Sequence, residues 1–465
     1  MADLPQFDRK MSDAEGLMWR LEKDPHLSST FANVTILDRP PDFDRLLRRL
    51  ENATYAVPRL RQRVQAAPLN LTAPMWVDDS NFDLRYHVRH IALPPPGSMR
   101  QLLDLASLIA CDAYDRTRPL WQFVVVDGLH DGKSALIQKL HHTIVDGEGG
   151  VQLSLQFLDF ERDAAEPPPL DPEVIAAAQE AAQHDGQTPD LLRELLSGSL
   201  RLPLGLLKQI RDLLADPAGI SEAGTAAADT FRSVMQQLGD TESARSPLWT
   251  KRSLQRQMEV LRTPFKGTKA AAKRLGGTLN TAFIAAAADA AGRYHRQLGA
   301  PVEELRSSMA ISTRTDSSGA NAFSLARMMV PTGEMPIGER IVAIQTAAAA
   351  AKEASATASL ETLAAVASAL PTTLITRLAR QQAQTVDFAT SNVRAAPIPL
   401  YMAGAELLEN YPVGPLAGVA FNLTLLSYNH SLDMGVNIDT AAVAEPERLR
   451  DCLQGAFNDL VTSTD

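Results

Sequence analysis

Apolar positions along this chain fall into short runs of two kinds, some spaced every three or four residues and others alternating or continuous. Residues 12–15, Ser-Asp-Ala-Glu, read as a helix start. Ser12 caps it, Glu15 reaches back, and Leu17, Met18, Trp19 and Leu21 follow at helical spacing. Residues 31–37 read as a strand, and 43–51 as an amphipathic helix with Leu46, Leu47 and Leu50 inward. The segment 58–64 is a basic turn and extended stretch in which Arg59, Arg61 and Arg63 form a solvated face. Residues 82–91 alternate apolar and polar, as a half-buried strand does. On such a strand His87 and His90 face opposite sides, at surface or rim positions. Pro94 to Gly97 stop that strand, and 99–113 form the next helix. Residues 123–126 and 134–140 are buried strands joined by a turn at 127–132. A helical pattern at 151–160 then puts Leu153, Phe157 and Phe160 on one side.

Beyond Phe160 the texture changes. Residues 163–190 are acidic, lack Lys and Arg, and hold Pro167-Pro168-Pro169, the mark of a solvated linker. Residues 191–214 are rich in Leu, Ile, Arg and Lys, and read as a helix pair packing on the body. An interfacial element touching lipid is the alternative. Near Thr250 the pattern resumes with a basic helix (Lys269, Lys273, Arg274) and an alanine-rich helix over 279–295, capped by Thr278. Strands follow at 309–313 and 326–330, then a long helical region at 341–369 and a strand at 388–393. A hairpin of 419–427 with 434–438 turns at Asn429-His430-Ser431. Both halves mix strands and helices, which predicts an α/β (α+β) fold in two lobes. The lobes cover 1–165 and 251–465, with 166–250 as linker and helical crossover.

The chain's 465 residues and 45% apolar content support two core-forming units. A net charge of −10 leaves no basic excess to neutralise phosphates, which argues against a nucleic-acid partner. Two cysteines, Cys111 and Cys452, suit a reducing compartment, and no motif surrounds either. Without a signal-like start or a run of the roughly 18–20 apolar residues a spanning helix needs, the expected location is cytoplasmic, or peripheral on a membrane.

Candidate chemistry concentrates at Lys139-Leu140-His141-His142-Thr143-Ile144-Val145-Asp146-Gly147, where a core strand ends and glycines let the chain reverse. A paired His with an Asp four positions on has the parts of a proton-transfer site: one imidazole takes the proton and the carboxylate fixes the loop that aims it. On the residues alone, a satisfied structural pair is the more frequent outcome. A metal site is disfavoured, because adjacent histidines at a strand end point to opposite faces and no second ligand cluster follows. Asp146 could orient the base or could pair an arginine and hold the loop. The cations from Lys266 to Arg274, Lys266 and Lys269 among them, are surface charge or a phosphate contact near a helix start.

His141-His142-Thr143-Ile144-Val145-Asp146-Gly147 matches the HHxxxDG signature of acyltransferases with the chloramphenicol acetyltransferase-like fold. The flanking stretches resemble one group of these, the bacterial wax ester synthase/diacylglycerol acyltransferases. Arg118-Pro119-Leu120-Trp121 is similar to its PLW element, Gly277-Thr278-Leu279-Asn280 to its Asn-Asp helix start, and Ser391-Asn392-Val393 to its SNVPGP segment. The elements fall in family order from about residue 12 to 440. Two positions depart: Thr281 stands where the family has Asp, and Arg394-Ala395-Ala396 where it has Pro-Gly-Pro.

The resemblance implies transfer of a fatty acyl group from acyl-CoA, a co-substrate with no further cofactor and no metal. The acceptor it implies is diacylglycerol, giving triacylglycerol, with fatty alcohol and wax ester as a second activity. It implies His142 as general base, Asn280 as oxyanion donor, His141 as a packing or hydrogen-bonded neighbour and Gly147 as a backbone requirement. It makes Arg314 a partner for Asp146, and Ser391 and Asn392 contributors to the substrate site. An apolar acceptor fits peripheral contact with a membrane or lipid droplet. The rival expectations are the same fold acting on another acceptor, a quiet lipid-binding or droplet-coating protein, and a metal-dependent hydrolase.

Overall fold

The computed structural model describes residues 9–66, 73–166, 173–176, 245–312, 323–356 and 372–463. The expectations for 191–214 and for Arg314, and most of the linker, fall outside these residues. The first half runs α1 (Asp13–Leu21), β1 (Thr30–Leu37), α2 (Phe43–Ala56), β2 (Gln62–Gln65), β3 (Met75–Asp78), α3 (Leu84–His87) and β4 (Val88–Ala92). It continues with α4 (Met99–Cys111), β5 (Trp121–Asp127), β6 (Ser134–His141) and α5 (Gly147–Ser154). The second half opens with β7 (Arg256–Pro264), α6 (Phe265–Arg274), α7 (Leu279–Gln297), β8 (Glu304–Ser312), β9 (Phe323–Pro331) and α8 (Ile337–Ala356). After it come α9 (Thr372–Ala383), β10 (Phe388–Arg394), β11 (Tyr401–Met402), β12 (Ala405–Val413), β13 (Phe421–Tyr428), β14 (Ser431–Asp439) and α10 (Pro446–Thr462).

Two six-stranded mixed sheets organise these elements. One is ordered β11-β12-β1-β6-β5-β4 and the other β7-β14-β13-β10-β8-β9. The two-lobed α/β expectation therefore holds, with one exchange. Residues 401–413 leave the second half and join the first sheet, where β12 pairs antiparallel with β1 from Ala32↔Val413 to Leu37↔Leu407. β12 also packs on β13 and β14, so it ties the two sheets together.

Local chemistry explains many boundaries. Glu15 N–H donates to Ser12 Oγ and Ser12 N–H to Glu15 Oε2, closing the expected capping box of α1. Asn429 and His430 both adopt positive φ and turn β13 into β14 through two residues. In α7 the stretch Ala282–Ala288 is fully buried, and a Cβ at Gly292 would collide with the Thr332 carbonyl. Small residues here permit close helix-to-strand approach.

Three expectations are corrected. Residues 82–91 are not one strand: Asp83 accepts from Arg85 N–H and caps α3 before β4 begins. His87 is core rather than rim. Its ring lies between Phe82 and Trp121, its Nδ1–H donates to the Trp121 carbonyl at 2.8 Å, and burial holds it down at about 4. His90 remains at the surface, 2.7 Å from Asp127. Arg59 is buried with its guanidinium over Trp76, and Arg61 covers Tyr55 and Phe82, so this basic run packs against aromatic rings. Among the described residues no helix is long and apolar enough to cross a membrane.

Candidate active site

β6 ends at His141, and the pleat sends the two histidines to opposite faces. His141 enters the interior of the first lobe. The Thr143 N–H donates to its Nδ1 at 3.2 Å, so Nδ1 is the acceptor and the proton sits on Nε2, which donates to Glu22 Oε2 at 3.0 Å. Glu22 closes the C-terminal end of α1 and also accepts from Ser28 Oγ at 2.7 Å and Ser29 N–H at 2.8 Å. Burial alone would raise its carboxyl, but the bonds from His141, Ser28 and Ser29 outweigh that and hold it at about 2. Behind His141, Lys139 stands over the Tyr114 ring and donates to the Asp112 carbonyl; burial lowers it to about 8.

His142 faces the other way, into a cavity of about 520 Å³ between the lobes. Its backbone N–H donates to the Ser29 carbonyl at 3.1 Å, and its ring leans on Phe31 with centroids 4.8 Å apart. Burial, reinforced by neighbouring His141 and opposed by Asp146, holds the imidazole down at about 4, so it is neutral at physiological pH. Asp146 is the N-cap of α5 and accepts from Gly149 N–H at 2.7 Å. That cap moves the helix start to Gly147, ahead of the 151–160 expected, and the helix ends at Ser154. Gly147 is needed where it stands: a Cβ there would lie 2.9 Å from Val393 Cγ2 of β10.

Three helices add apolar side chains to a cavity wall otherwise built from strands of both sheets and their loops: Leu17 and Leu21 of α1, Val151 of α5, and Ile375 and Leu378 of α9. α9 follows the long helical region expected at 341–369, and neither it nor β12 was expected. Ser391 and Asn392 reach the cavity from β10. Asn280 sits one shell behind: its Oδ1 accepts from Asn392 Nδ2 at 3.4 Å, and its Nδ2 contacts Met309 Sδ at 3.2 Å. Thr281 replaces the family acid without loss of the cap, because Thr278 N–H donates to Thr281 Oγ1 at 2.8 Å and Thr281 N–H to Thr278 Oγ1 at 3.1 Å. Arg394 is exposed and is not a wall residue, unlike Val393 and Ala395 on either side.

Lys266 and Lys269 are not brought to the cavity. Their helix packs on α10 and β7, and Lys269 lies over Phe265. Sequence reading missed several cavity residues. Asn33 Nδ2 donates to Asn410 Oδ1 at 2.6 Å and to Gln138 Oε1 at 3.1 Å, making a polar corner across β12, β1 and β6. Arg327 of β9 is another. These residues converge only once strands distant in sequence pair. For Glu22 a signal was available, since an acid closing a helix C-terminus opposes the macrodipole and so points to another task. The assembled chemistry is a neutral imidazole facing an apolar cavity whose wall also carries the Asn392 carboxamide. That arrangement can take a proton from a weakly acidic group and bind developing negative charge.

Comparison with known proteins places this chain among relatives of one kind. A putative diacylglycerol O-acyltransferase of Mycobacterium tuberculosis is 32% identical over 98% of this chain and 92% of its own length. A probable diacylglycerol O-acyltransferase of the same species is 27% identical over 96% of this chain and 94% of its own. Among solved structures, the wax ester synthase/diacylglycerol acyltransferase from Marinobacter aquaeolei superposes with a TM-score of 0.66 at 23% identity, covering 97% of this chain and 98% of that one. The first condensation domain of the calcium-dependent antibiotic synthetase shares the fold, with a TM-score of 0.60 at 12% identity over 99% and 97% of the two chains. The wax ester synthase/diacylglycerol acyltransferase catalytic-domain model matches residues 11–283 and the companion C-terminal-domain model residues 319–461, and the chain therefore belongs to the wax ester synthase/diacylglycerol acyltransferase family of acyltransferases.

Proposed function

We propose that this acyltransferase moves a long-chain fatty acyl group from acyl-CoA to diacylglycerol, with fatty alcohols as a second acceptor, at the cavity that His142 faces. The observation that carries the reading is a neutral imidazole opening onto an apolar cavity between the lobes. An alcohol is a poor nucleophile at neutral pH, so His142 takes the hydroxyl proton as the oxygen attacks the thioester carbon. Asn392, which lines the cavity, donates to the tetrahedral oxyanion, and Asn280 behind it accepts from the same carboxamide and holds it in place. The carbon–sulfur bond then breaks, and the imidazolium returns the proton to the thiolate. Each proton taken is given back, so acyl-CoA serves as co-substrate and the cycle needs no further cofactor. Asp146 and Gly147 shape the turn, and His141 anchors the strand end to Glu22.

An acceptor that dissolves in lipid places the protein peripherally on a membrane or lipid droplet from the cytoplasmic side. The test is free-thiol release from palmitoyl-CoA with diacylglycerol, hexadecanol or no acceptor. Diacylglycerol should drive release, and His142→Ala should reduce it by about 10²-fold or more. Lipid binding with no acceptor-dependent release in the unaltered protein overturns the reading in favour of a binding module.

A further inference from the structure

Among the described residues, the ionisable side chains in the cavity wall besides the neutral His142 are Asp146, engaged as a helix cap, and Arg327. Arg327 projects from β9 beside Ser308, its strand partner on β8. Its guanidinium donates to the neutral Gln382 Oε1 of α9, and the charge acting on it is a second cation, Arg306. No carboxylate among the described residues pairs with it. The C-terminal end of α9 supplies partial negative charge nearby, but a fixed anion is missing. Arg327 is solvent-exposed at its end of the cavity, so a cation without a carboxylate partner there is open to an anionic part of the substrate.

We propose that Arg327, with Ser308 and Gln382 beside it, binds a phosphate of the acyl donor at the far end of its pantetheine arm. This assignment rests on the acyl-CoA reading above. Length decides which anion reaches the site. Val393 abuts Gly147 beside His142, and Ala389 four residues earlier on β10 pairs with Ser308, which pairs with Arg327. At about 3.3 Å per residue along β10 and about 4.8 Å per strand across the sheet, Arg327 lies roughly 16 Å from the reacting end. A pantetheine arm of about thirteen bonds, extended like a peptide chain, spans roughly 15 Å from sulfur to phosphorus. The thioester at His142 and the pyrophosphate at Arg327 therefore fit one extended donor. A carboxylate or carbonyl adjoining the reacting carbon falls short by most of that length.

The test compares two donors in the full chain, palmitoyl-CoA and palmitoyl-N-acetylcysteamine, a thioester without phosphates. For Arg327→Ala and Arg327→Gln the KM for palmitoyl-CoA should rise about 10- to 100-fold, the range a charge-assisted hydrogen bond supports, with kcat within about threefold. The KM for the phosphate-free donor should stay at the unaltered value, which also shows that the variants fold. Arg327→Lys should restore part of the loss, and raising ionic strength should weaken palmitoyl-CoA binding in the unaltered protein more than in Arg327→Ala. Equal KM changes for both donors, or no change for either, overturn the assignment. So does a rise confined to the KM for the acceptor, which would place an anionic acceptor lipid at Arg327 instead. If the unaltered protein turns over neither donor, the acyltransferase reading fails first, and that outcome is separate from these.

Discussion

Replacing Glu22 with glutamine tests how the histidine strand is held. Glu22 keeps 17% of its side chain exposed and accepts from His141, Ser28 and Ser29, all within 3.0 Å. Its carboxyl is held at about 2, against an ordinary 4.5. A difference of that size corresponds to roughly 3 kcal/mol of folding stability when the group is ionised. Because the folded-state value is depressed, this contribution is fully present above about 4.5 and is lost as pH falls towards 2. Glu22→Gln keeps the shape but offers one acceptor oxygen and an amide that meets donors head-on. It should cost about 2–3 kcal/mol at pH 7. By pH 4 about 1 kcal/mol of the gap should have closed, since the unaltered protein has begun to lose its advantage. Urea unfolding followed by tryptophan fluorescence reads this directly, as Trp19, Trp76 and Trp121 all lie in the first lobe's core. The Ser29 carbonyl also holds the His142 N–H at 3.1 Å, so slack at Ser29 should reach the base and lower kcat about tenfold or more. A gap below about 0.5 kcal/mol, or one that does not narrow between pH 7 and pH 4, refutes the argument.

Two further outcomes are expected. Burial lowers His142 to about 4, so its neutral form is present above that value. kcat/KM should therefore stay level from pH 8 down to about 5, and an acid limb at 6.5 or higher would show that the base is not depressed in the free enzyme. Thr281→Ala removes the reciprocal cap of α7 and should destabilise the second lobe by about 1 kcal/mol in thermal unfolding. Thr281→Asp, which can accept from the same Thr278 N–H, should not.

Elements whose signals are local were legible from the chain. Ser12 and Glu15 announce α1, Thr278 announces α7, and the Asn429-His430 turn announces the last hairpin, because caps and turns are written within four residues. The site was legible as far as it is contiguous: His142, Asp146 and Gly147 share one loop, and Asn392 shares one strand with Ser391. What escaped depends on partners far along the chain. His87 reads as a strand histidine until Trp121 stacks on it, and Arg59 reads as surface charge until Trp76 comes beneath it. Asp146 reads as an acid that orients the base or pairs an arginine, and the structure adds a capping bond from Gly149 N–H, visible only when the helix is started one turn earlier than apolar spacing suggested. Asn33, Gln138 and Asn410 form a polar corner that no spacing rule can register, because three separate strands supply it.

The crossing of residues 401–413 into the first sheet also bears on how the protein is made. During synthesis the first sheet's strands emerge long before β12 does. Until then β1 is paired with β6 on one side, and its other edge presents unsatisfied N–H and C=O groups to whatever chain is near. Nascent or truncated chains that stop short of residue 401 share that open edge, which is a template for pairing with a neighbouring copy. Completion of the first sheet thus waits on residues 405–413, and the sheet that holds His141 is sealed by a strand the ribosome delivers long after β1 and β6.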